Sequence, residues 1–292
     1  MRQTGGESQP TYHIRIEPAQ GWASLNLAEL WHYRDLLYIL ALRDIKLRYK
    51  QTALGVMWVI IQPLVAALIF AVIFGRFANL PSEGVPYLLL VFSATLAWNI
   101  FGGGLGRAGN SLITDSKLIT KVYFPRIAVP ISSSAAVLVD FAVGLLVMFV
   151  LLFAYGFGLS LNILLLPLML VIALLATIGV SLLFSALNVY YRDFMYALPF
   201  IVQVWMYASP VVYSGGLIPE AVRPFHALNP MVGVIDGFRW CLLGTGDFPA
   251  LTLAIAAGVS VILFLVGSRY SSVSSATLPT SCNPHIRYPR SR

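Results

Sequence analysis

Few residues of this chain have the type and spacing that catalysis or metal binding requires. The four histidines are too scattered for any two to ligate a metal from one helix face. Cys241 and Cys282 have neither ligand spacing nor a disulfide framework, and the serine runs at 132–134 and 271–275 have no paired base. We therefore predict no catalytic residue, no metal site and no enzymatic activity. The histidines are His13, His32, His226 and His285.

A glycine-rich run at Gly102, Gly103, Gly104 and Gly106 superficially resembles a phosphate-binding loop. It lies in an apolar stretch, and no Gly-Lys-Ser or Gly-Lys-Thr follows it, so it is not a P-loop. We interpret it as a place where helices approach closely or where one helix bends. We expect this chain to bind no cofactor of its own. If the protein uses ATP, another chain must bind it.

One carboxylate, Asp140, lies well inside an apolar stretch. An ionisable group at membrane depth is costly, so it indicates either a polar partner or a watery path. It could act in a proton relay or a coupling network, or it could fix helix packing as a neutral or paired residue. The sequence indicates no intramembrane Lys, Arg or second acid beside it, and we therefore favour the packing role.

Aromatic residues are concentrated along one apolar stretch, at Phe200, Trp205, Tyr207 and Tyr213. Aromatic faces can stack on sugar rings, so these residues could line a path for a sugar substrate. They could equally form an aromatic packing interface or belong to the belts that Trp and Tyr form at membrane surfaces. Their spacing does not decide between these interpretations.

The composition indicates which elements must position these groups. Hydrophobic residues make up 58% of the 292 residues and charged residues only 11%, which is typical of a membrane protein. The formal net charge of +7 fits cytoplasmic loops that face anionic lipid better than a nucleic-acid interface. Six apolar stretches are each long enough to cross a hydrocarbon core of about 30 Å. They are approximately 54–75, 86–108, 128–154, 163–189, 196–213 and 250–268.

The positive charges predict the orientation of these spans. With a cytoplasmic N-terminus, all but three of the 19 Lys and Arg residues fall on the cytoplasmic side. The exceptions are Arg76, Arg223 and Arg239. This asymmetry follows the positive-inside rule. We predict an all-α integral membrane protein with six transmembrane helices and both termini in the cytoplasm.

The remaining segments are assigned from their patterns. Residues 1–27 read as an irregular arm, and residues 28–50 as an amphipathic helix on the cytoplasmic membrane surface or a charged lead-in to the first span. The six-span domain then covers residues 51–268. Prolines and glycines break the apolar stretch 214–249, which predicts a re-entrant outer segment before the last span. Residues 269–292 form a basic tail with no helical pattern, and we expect it to be disordered.

Five segments in order resemble the permease subunits of polysaccharide ABC exporters, of the O-antigen and teichoic-acid type. The resemblance covers approximately residues 20–268, and several motifs in sequence make it specific. The unusual tail is a departure from the family pattern. The segments are WHYRDLLYILALRDIKLRYKQTALGVMWVIIQPL, LITKVYFPR, ALNVYYRDF, SPVVYSGGLIPE and LNPMVGVIDGFRW.

The resemblance implies a multi-pass protein of the bacterial plasma (inner) membrane that pairs with a second copy of itself and with two ATP-binding subunits. Those subunits would bind ATP and Mg, and the substrate would be a lipid-linked glycan. Alternatives are an ABC exporter of another amphiphile, such as a lipid or drug, a membrane-embedded glycosyl- or acyltransferase, and a proton-coupled carrier. A proton-coupled carrier is disfavoured by the lone Asp140 and by the lack of evident repeat halves.

The resemblance also implies roles for particular residues. Contacts with the ATP-binding subunits would come from an interfacial helix and a coupling helix. Those residues are Arg43, Asp44, Arg48, Tyr49, Lys50, Lys117, Leu118, Ile119, Lys121, Tyr123, Pro125 and Arg126. The outer gate would include Asp236, Arg239 and Trp240, and the substrate path would add Phe200, Trp205, Tyr207 and Tyr213.

Overall fold

The computed structural model describes residue 31 and residues 33–50, 55–82, 84–115, 127–191 and 193–277. Within this part of the chain the fold is all-helical, with no strand, as predicted. Nine α-helices are numbered here in chain order. They are α1 (Arg34–Lys50), α2 (Gly55–Phe70), α3 (Tyr87–Thr114), α4 (Ala128–Ala154), α5 (Leu166–Tyr190), α6 (Phe194–Tyr207), α7 (Arg223–Ala227), α8 (Pro230–Leu243) and α9 (Ala250–Thr277).

Five helical stretches of the described chain are long and apolar enough to cross a membrane. A π-helical segment, Ala71–Phe77, extends α2, and a 3-10 turn, Leu161–Leu165, leads into α5. The stretches are Met57–Phe77, Tyr87–Thr114, Ala128–Ala154, Leu161–Tyr190 and Ala250–Ser271. They match five of the six predicted spans.

The predicted span 196–213 corresponds to α6, which has only 14 residues. At 1.5 Å per residue α6 is about 21 Å long, well short of a hydrocarbon core of about 30 Å. The helix ends at Tyr207 and the chain turns through Ser209 and Pro210, because a proline lacks the N–H that the helix would need. The expectation of a sixth full-length span is therefore not confirmed.

Helix α3 is the centre of the bundle. It packs against α2, α4, α5, α6 and α8, and Phe92, Phe101 and Leu105 on it are fully buried. A Cβ on Gly104 would collide with the side chain of Thr177 on α5. The interpretation of the glycine run as a close helix approach is confirmed at this position.

Helices α5 and α9 also approach closely through small residues. A Cβ on Gly179 would lie 2.5 Å from the backbone nitrogen of Phe264, and a Cβ on Gly267 would meet the carbonyl of Gly179. Without side chains at these two positions the backbones pack directly, as is common between helices in membranes. The pair fixes α9 against the bundle.

The segment that follows α6 is broken into short helices, as predicted. It contains a 3-10 turn, Gly215–Leu217, then α7 and α8. Asn229 caps α8 by accepting a hydrogen bond of 3.1 Å from the Met231 N–H, and Gly244 ends it with φ of 65°. Helix α8 is buried almost throughout, against α3, α5 and α9. Its re-entry into the membrane stays a prediction.

The predicted helix bounds agree with the structure near the N-terminus but not near the C-terminus. Helix α1 falls within the predicted 28–50, whereas the arm 1–27 lies outside the described residues. Helix α9 continues to Thr277, so the expectation that helical structure ends at 268 is wrong. The serines tolerate this because their hydroxyls can bond to backbone carbonyls one turn back, as Ser268 does to Leu265. Residues 278–292 lie outside the described part.

Candidate functional site

The C-terminal half of α1 attaches to the bundle through charged side chains. Arg43 forms an ion pair of 2.7 Å with Asp115, at the end of α3, and one of 2.8 Å with Asp44. Asp44 in turn accepts a hydrogen bond of 3.1 Å from the Ser133 hydroxyl on α4. We call these four residues the Arg43 group. It links α1 to both α3 and α4.

A second set of contacts converges on Asp140 of α4. Tyr49 donates a hydrogen bond of 2.7 Å to Oδ1, and Arg48 lies 3.0 Å from Oδ2. Arg107 of α3 lies 3.2 Å from the same oxygen. We call these four residues the Asp140 group. Three donors from two other helices therefore satisfy one carboxylate.

The expectation that Asp140 has no cationic neighbour is wrong. The predicted span 86–108 ends one residue after Arg107, but α3 continues to Thr114, which leaves Arg107 two turns inside the helix. Tertiary packing determines that the Arg107 side of α3 faces Asp140 on α4, and the sequence alone does not reveal this packing. The alternative in which a paired Asp140 fixes helix packing is the one that agrees with the structure.

The groups on α1 keep the protonation states that these contacts need. Burial raises the pKa of Tyr49 to about 12, and the neighbouring Asp140 carboxylate contributes to the rise. Burial lowers the pKa of Arg43, but hydrogen bonds to Asp115 and Asp44 outweigh it and the pKa is raised. Tyr49 is thus a neutral donor and Arg43 a cation at physiological pH.

The Asp140 group borders a cavity of about 340 Å³ between α2, α3 and α4. We call it the Asp140 cavity. Its lining combines charged groups at one end with amides, indoles and apolar side chains. The lining residues that matter below are Arg48, Trp58, Gln62, Trp98, Asn99, Arg107 and Asp140. This mixture suits a ligand with a polar and an apolar part.

A second cavity, of about 400 Å³, lies among the short helices after α6, and we call it the Asp236 cavity. The predicted gate residues Asp236, Arg239 and Trp240 all line it. The structure therefore brings these three together. Sequence reasoning did not identify the other polar groups that share the lining. They are Ser214, Arg223, His226, Thr245, Asp247 and Thr252.

Arg239 is fixed by the backbone. It donates to the carbonyls of Tyr213 at 3.1 Å, Val211 at 3.2 Å and Leu90 at 3.4 Å, and it is only 7% exposed. Leu90 belongs to α3, so this arginine joins the turn after α6 to the central helix. The Tyr213 hydroxyl lies 3.3 Å from Nε2 of His226 on α7.

None of the residues of the predicted aromatic path lines either of these two cavities. Phe200 is 69% and Tyr207 53% exposed on the outside of α6. Trp205 instead packs edge-on against Phe101 and donates a hydrogen bond of 3.1 Å to Asn229. Trp205 thus fits the packing interpretation.

The predicted ATPase contacts are only partly described. Arg43, Asp44, Arg48 and Tyr49 contact α3 and α4 of their own chain, which leaves contact with a partner as a prediction. The side chain of Lys50 lies outside the described part. So does the whole predicted coupling segment, namely Lys117, Leu118, Ile119, Lys121, Tyr123, Pro125 and Arg126.

Comparisons with known proteins agree with this architecture. Residues 35–243 match the family model of ABC-2 type transporters. The chain is 31% identical over 243 residues to the O-antigen export system permease protein RfbA of Myxococcus xanthus, covering 82% of this chain and 92% of the relative. It is 28% identical over 235 residues to a protein of the same name from Klebsiella pneumoniae, covering 80% and 89%.

The match begins in α1 and ends at the last residue of α8, so it contains the Asp140 cavity, both charged groups and the part of the Asp236 cavity that precedes residue 244. The predicted resemblance to exporter permeases and the predicted multi-pass membrane location are confirmed. This chain belongs to the ABC-2 type transporter family.

Proposed function

We propose that this chain is the permease subunit of an ATP-driven exporter that moves a lipid-linked polysaccharide from the cytoplasmic to the outer side of the bacterial inner membrane. The observation that carries the proposal is the match, over 82% of the chain, to a protein named as an O-antigen export permease. The helical bundle with apolar spans and two polar cavities suits an amphiphilic substrate.

The two charged groups suggest how force would reach the bundle. Arg43 on α1 binds Asp115, the last described residue before the predicted coupling segment. A push on α1 would reach the end of α3, from which that segment continues in sequence, because an ion pair of 2.7 Å joins Arg43 to Asp115. Tyr49 and Arg48 add a second attachment to α4, so α1 would move with the bundle as one body.

The energy for transport would come from other chains. A permease of this family works with ATP-binding subunits, and ATP and Mg would bind there and not on this chain. We propose an assembly of two copies of this chain and two ATP-binding subunits. The path for the glycan would lie between the two copies, with the Asp236 cavity near its outer end.

Gene deletion tests the substrate. Cells that lack the protein should lose surface polysaccharide and accumulate lipid-linked glycan inside, and expression of the intact chain should restore export. Unchanged surface polysaccharide would refute the assignment. If instead a lipid or drug accumulated, the chain would be an exporter of another amphiphile.

Reconstitution tests the coupling. ATP hydrolysis by the complex should depend on residues 117–126, so replacing that segment with a Gly-Ser sequence of equal length should lower stimulated hydrolysis without preventing insertion of the permease. The matched control replaces residues 156–159, in the connection after α4, which line neither cavity. Equal hydrolysis in all three complexes would contradict the coupling role.

A further inference from the structure

The Asp140 group carries more positive than negative charge. Arg48 and Arg107 are cations, Asp140 is the carboxylate, and Tyr49 is a neutral donor. One positive charge is therefore in excess around Asp140. Arg48 is exposed on α1, whereas Arg107 lies two turns inside α3 with a mostly buried side chain. A cation held inside an apolar helix bundle is costly, so an acceptor for its remaining donors is expected.

The Arg43 group has the opposite excess but does not serve this purpose. Its Asp44 lies one helical turn before Arg48 on α1, but that carboxylate is already bound by Arg43 and by the Ser133 hydroxyl. Its own arginine already pairs with two carboxylates. None of its members lines the Asp140 cavity.

The hydrogen bonding at the cavity is also incomplete. Both arginines reach the same oxygen of Asp140 through a terminal nitrogen. The buried Nε of Arg107 has no hydrogen-bond partner in the described part of the chain. A guanidinium has five N–H donors arranged as a fork, which suits an acceptor with several oxygens such as phosphate.

The rest of the cavity suits an amphiphile. Gln62 and Asn99 add amide donors, and Trp58 and Trp98 add indole rings beside them. Helix α2 forms the side of the cavity that faces away from the bundle. In the most apolar part of the span Met57–Phe77 only 6% of the residues are buried, against 78% in the corresponding part of α3. A lipid tail could therefore remain outside while the head group reaches the arginines.

We infer that the Asp140 cavity binds the phosphate-bearing head group of an amphiphile, held by Arg48 and Arg107 and flanked by Gln62 and Asn99. The inference deepens the proposed function, on which it rests for the arrival of such an amphiphile. The site would hold the charged head of the exported lipid at the inner end of the path. Its charge count and its unpaired donor point to a phosphate and not to a neutral sugar.

Binding is measured on the full chain in neutral detergent, with short-chain phosphatidic acid as the probe. Arg107→Gln should weaken binding roughly tenfold or more, because charge-assisted hydrogen bonds are lost. Arg34→Gln, at an exposed position near the start of α1, is the matched control and should bind as the parent does. Asp140→Asn should bind at least as tightly, because it raises the positive excess.

Gln62→Leu provides a second test that leaves the ion pairs intact and should weaken binding about threefold, as expected for loss of one neutral hydrogen bond. Equal affinity of all four variants, or equal loss in Arg34→Gln and Arg107→Gln, would overturn the site. Each variant is compared at matched monodispersity, so that misfolding is not read as lost binding.

Two further probes identify the source and class of the anion. Inorganic phosphate should compete only weakly, since it lacks a tail, and dodecanoate should bind less tightly than phosphatidic acid. Tight binding of inorganic phosphate would make this a soluble-anion site, and equal binding of dodecanoate would refute the phosphate class. These binding assays need no ATPase, so a negative binding result would refute the head-group site and leave the export proposal intact. Unchanged surface polysaccharide after gene deletion would refute the export proposal and leave the binding result intact.

Discussion

Two arginine sites in this bundle solve the same problem in different ways. Arg239 is 7% exposed and binds three backbone carbonyls, which are fixed by the fold. Arg107 shares the carboxylate of Asp140 with a second arginine and leaves one donor unpaired beside a cavity. Backbone carbonyls cannot move away without unfolding, so we call Arg239 and its three carbonyl acceptors the clamp. A side-chain carboxylate shared by two arginines can be replaced by another anion. The difference suggests that the Arg239 site is structural and the Asp140 site is a place where binding or movement occurs.

The largest effect is expected when the clamp is removed. Arg239→Leu should lower the free energy of unfolding by about 3 kcal/mol or more, because three buried carbonyls lose a charged donor. Chemical denaturation in detergent measures this. Arg223→Leu is the control, since Arg223 is exposed and lines the same Asp236 cavity. Its effect should stay within about 0.5 kcal/mol, and equal losses in both variants would contradict the clamp.

A smaller effect is expected at the exchangeable site. Asp140→Asn should cost about 1–3 kcal/mol, because two arginines lose a common anion while a hydrogen-bonding amide remains. Asp35→Asn, on the exposed start of α1, is the matched control and should change little. A loss as large as that of Arg239→Leu would remove the contrast between the sites.

The same variant tests an alternative role. If Asp140 were an obligatory proton relay, Asp140→Asn would abolish transport even in protein that is fully folded. We expect transport to be reduced and not abolished, because an amide still accepts the hydrogen bond from Tyr49. Transport assays normalised to inserted protein distinguish these outcomes.

The contrast between the two sites also indicates what the sequence can predict. Apolar length alone identified the five full spans, since any helix of that composition must avoid water. It failed for α6, because the stretch 196–213 is apolar throughout and only the turn at Pro210 divides it. It failed for the end of α9, because serines are compatible with both helix and tail.

The candidate sites were predicted less completely than the spans. Asp236, Arg239 and Trp240 share one short segment, so proximity in sequence suffices to place them together. The Asp140 group joins residues 48 and 49, 107 and 140 from three helices. Its assembly depends on how the three helices pack and on how each is rotated about its axis, and a single sequence does not specify either. The apolar surroundings of Asp140 did indicate that a partner must exist.

The contribution of Tyr49 to the Asp140 site is expected to be about 1.5 kcal/mol, the lower end for a hydrogen bond to a charged acceptor, because Tyr49 is only partly buried. Tyr49→Phe removes it, and Tyr38→Phe, at a 65% exposed position of the same helix, is the control. The folded-state pKa of Tyr49 is about 12, above the usual 10 of a tyrosine in the unfolded chain.

That pKa fixes the sign of the pH dependence. The stability difference between parent and Tyr49→Phe should be constant below about pH 10 and decline as the pH rises towards 12, because the unfolded phenol ionises first. Denaturation curves at several alkaline pH values measure it. A difference that changed between pH 6 and 9 would contradict a neutral Tyr49 donor.

The smallest effect is expected at His226, beside the clamp. Burial lowers the pKa of this imidazole below its usual 6.5, although a hydrogen bond with the Ala208 backbone acts in the opposite direction. The unfolded chain therefore binds the proton more readily, and stability should fall as the pH decreases through about 6.5 towards the lower folded-state pKa. Arg223, Arg239, Asp236 and Asp247 line the same cavity and contribute to the field at the ring.

His226→Asn should flatten that decline between about pH 6.5 and 5, because an amide does not titrate there. The measurement is the denaturation midpoint of parent and variant across this range, with the variant Arg223→Gln as a control that keeps the histidine. An unchanged decline in His226→Asn would assign the acid sensitivity to another group. A decline that disappeared would assign the acid sensitivity to His226, which contacts the hydroxyl of Tyr213, the residue whose carbonyl binds Arg239.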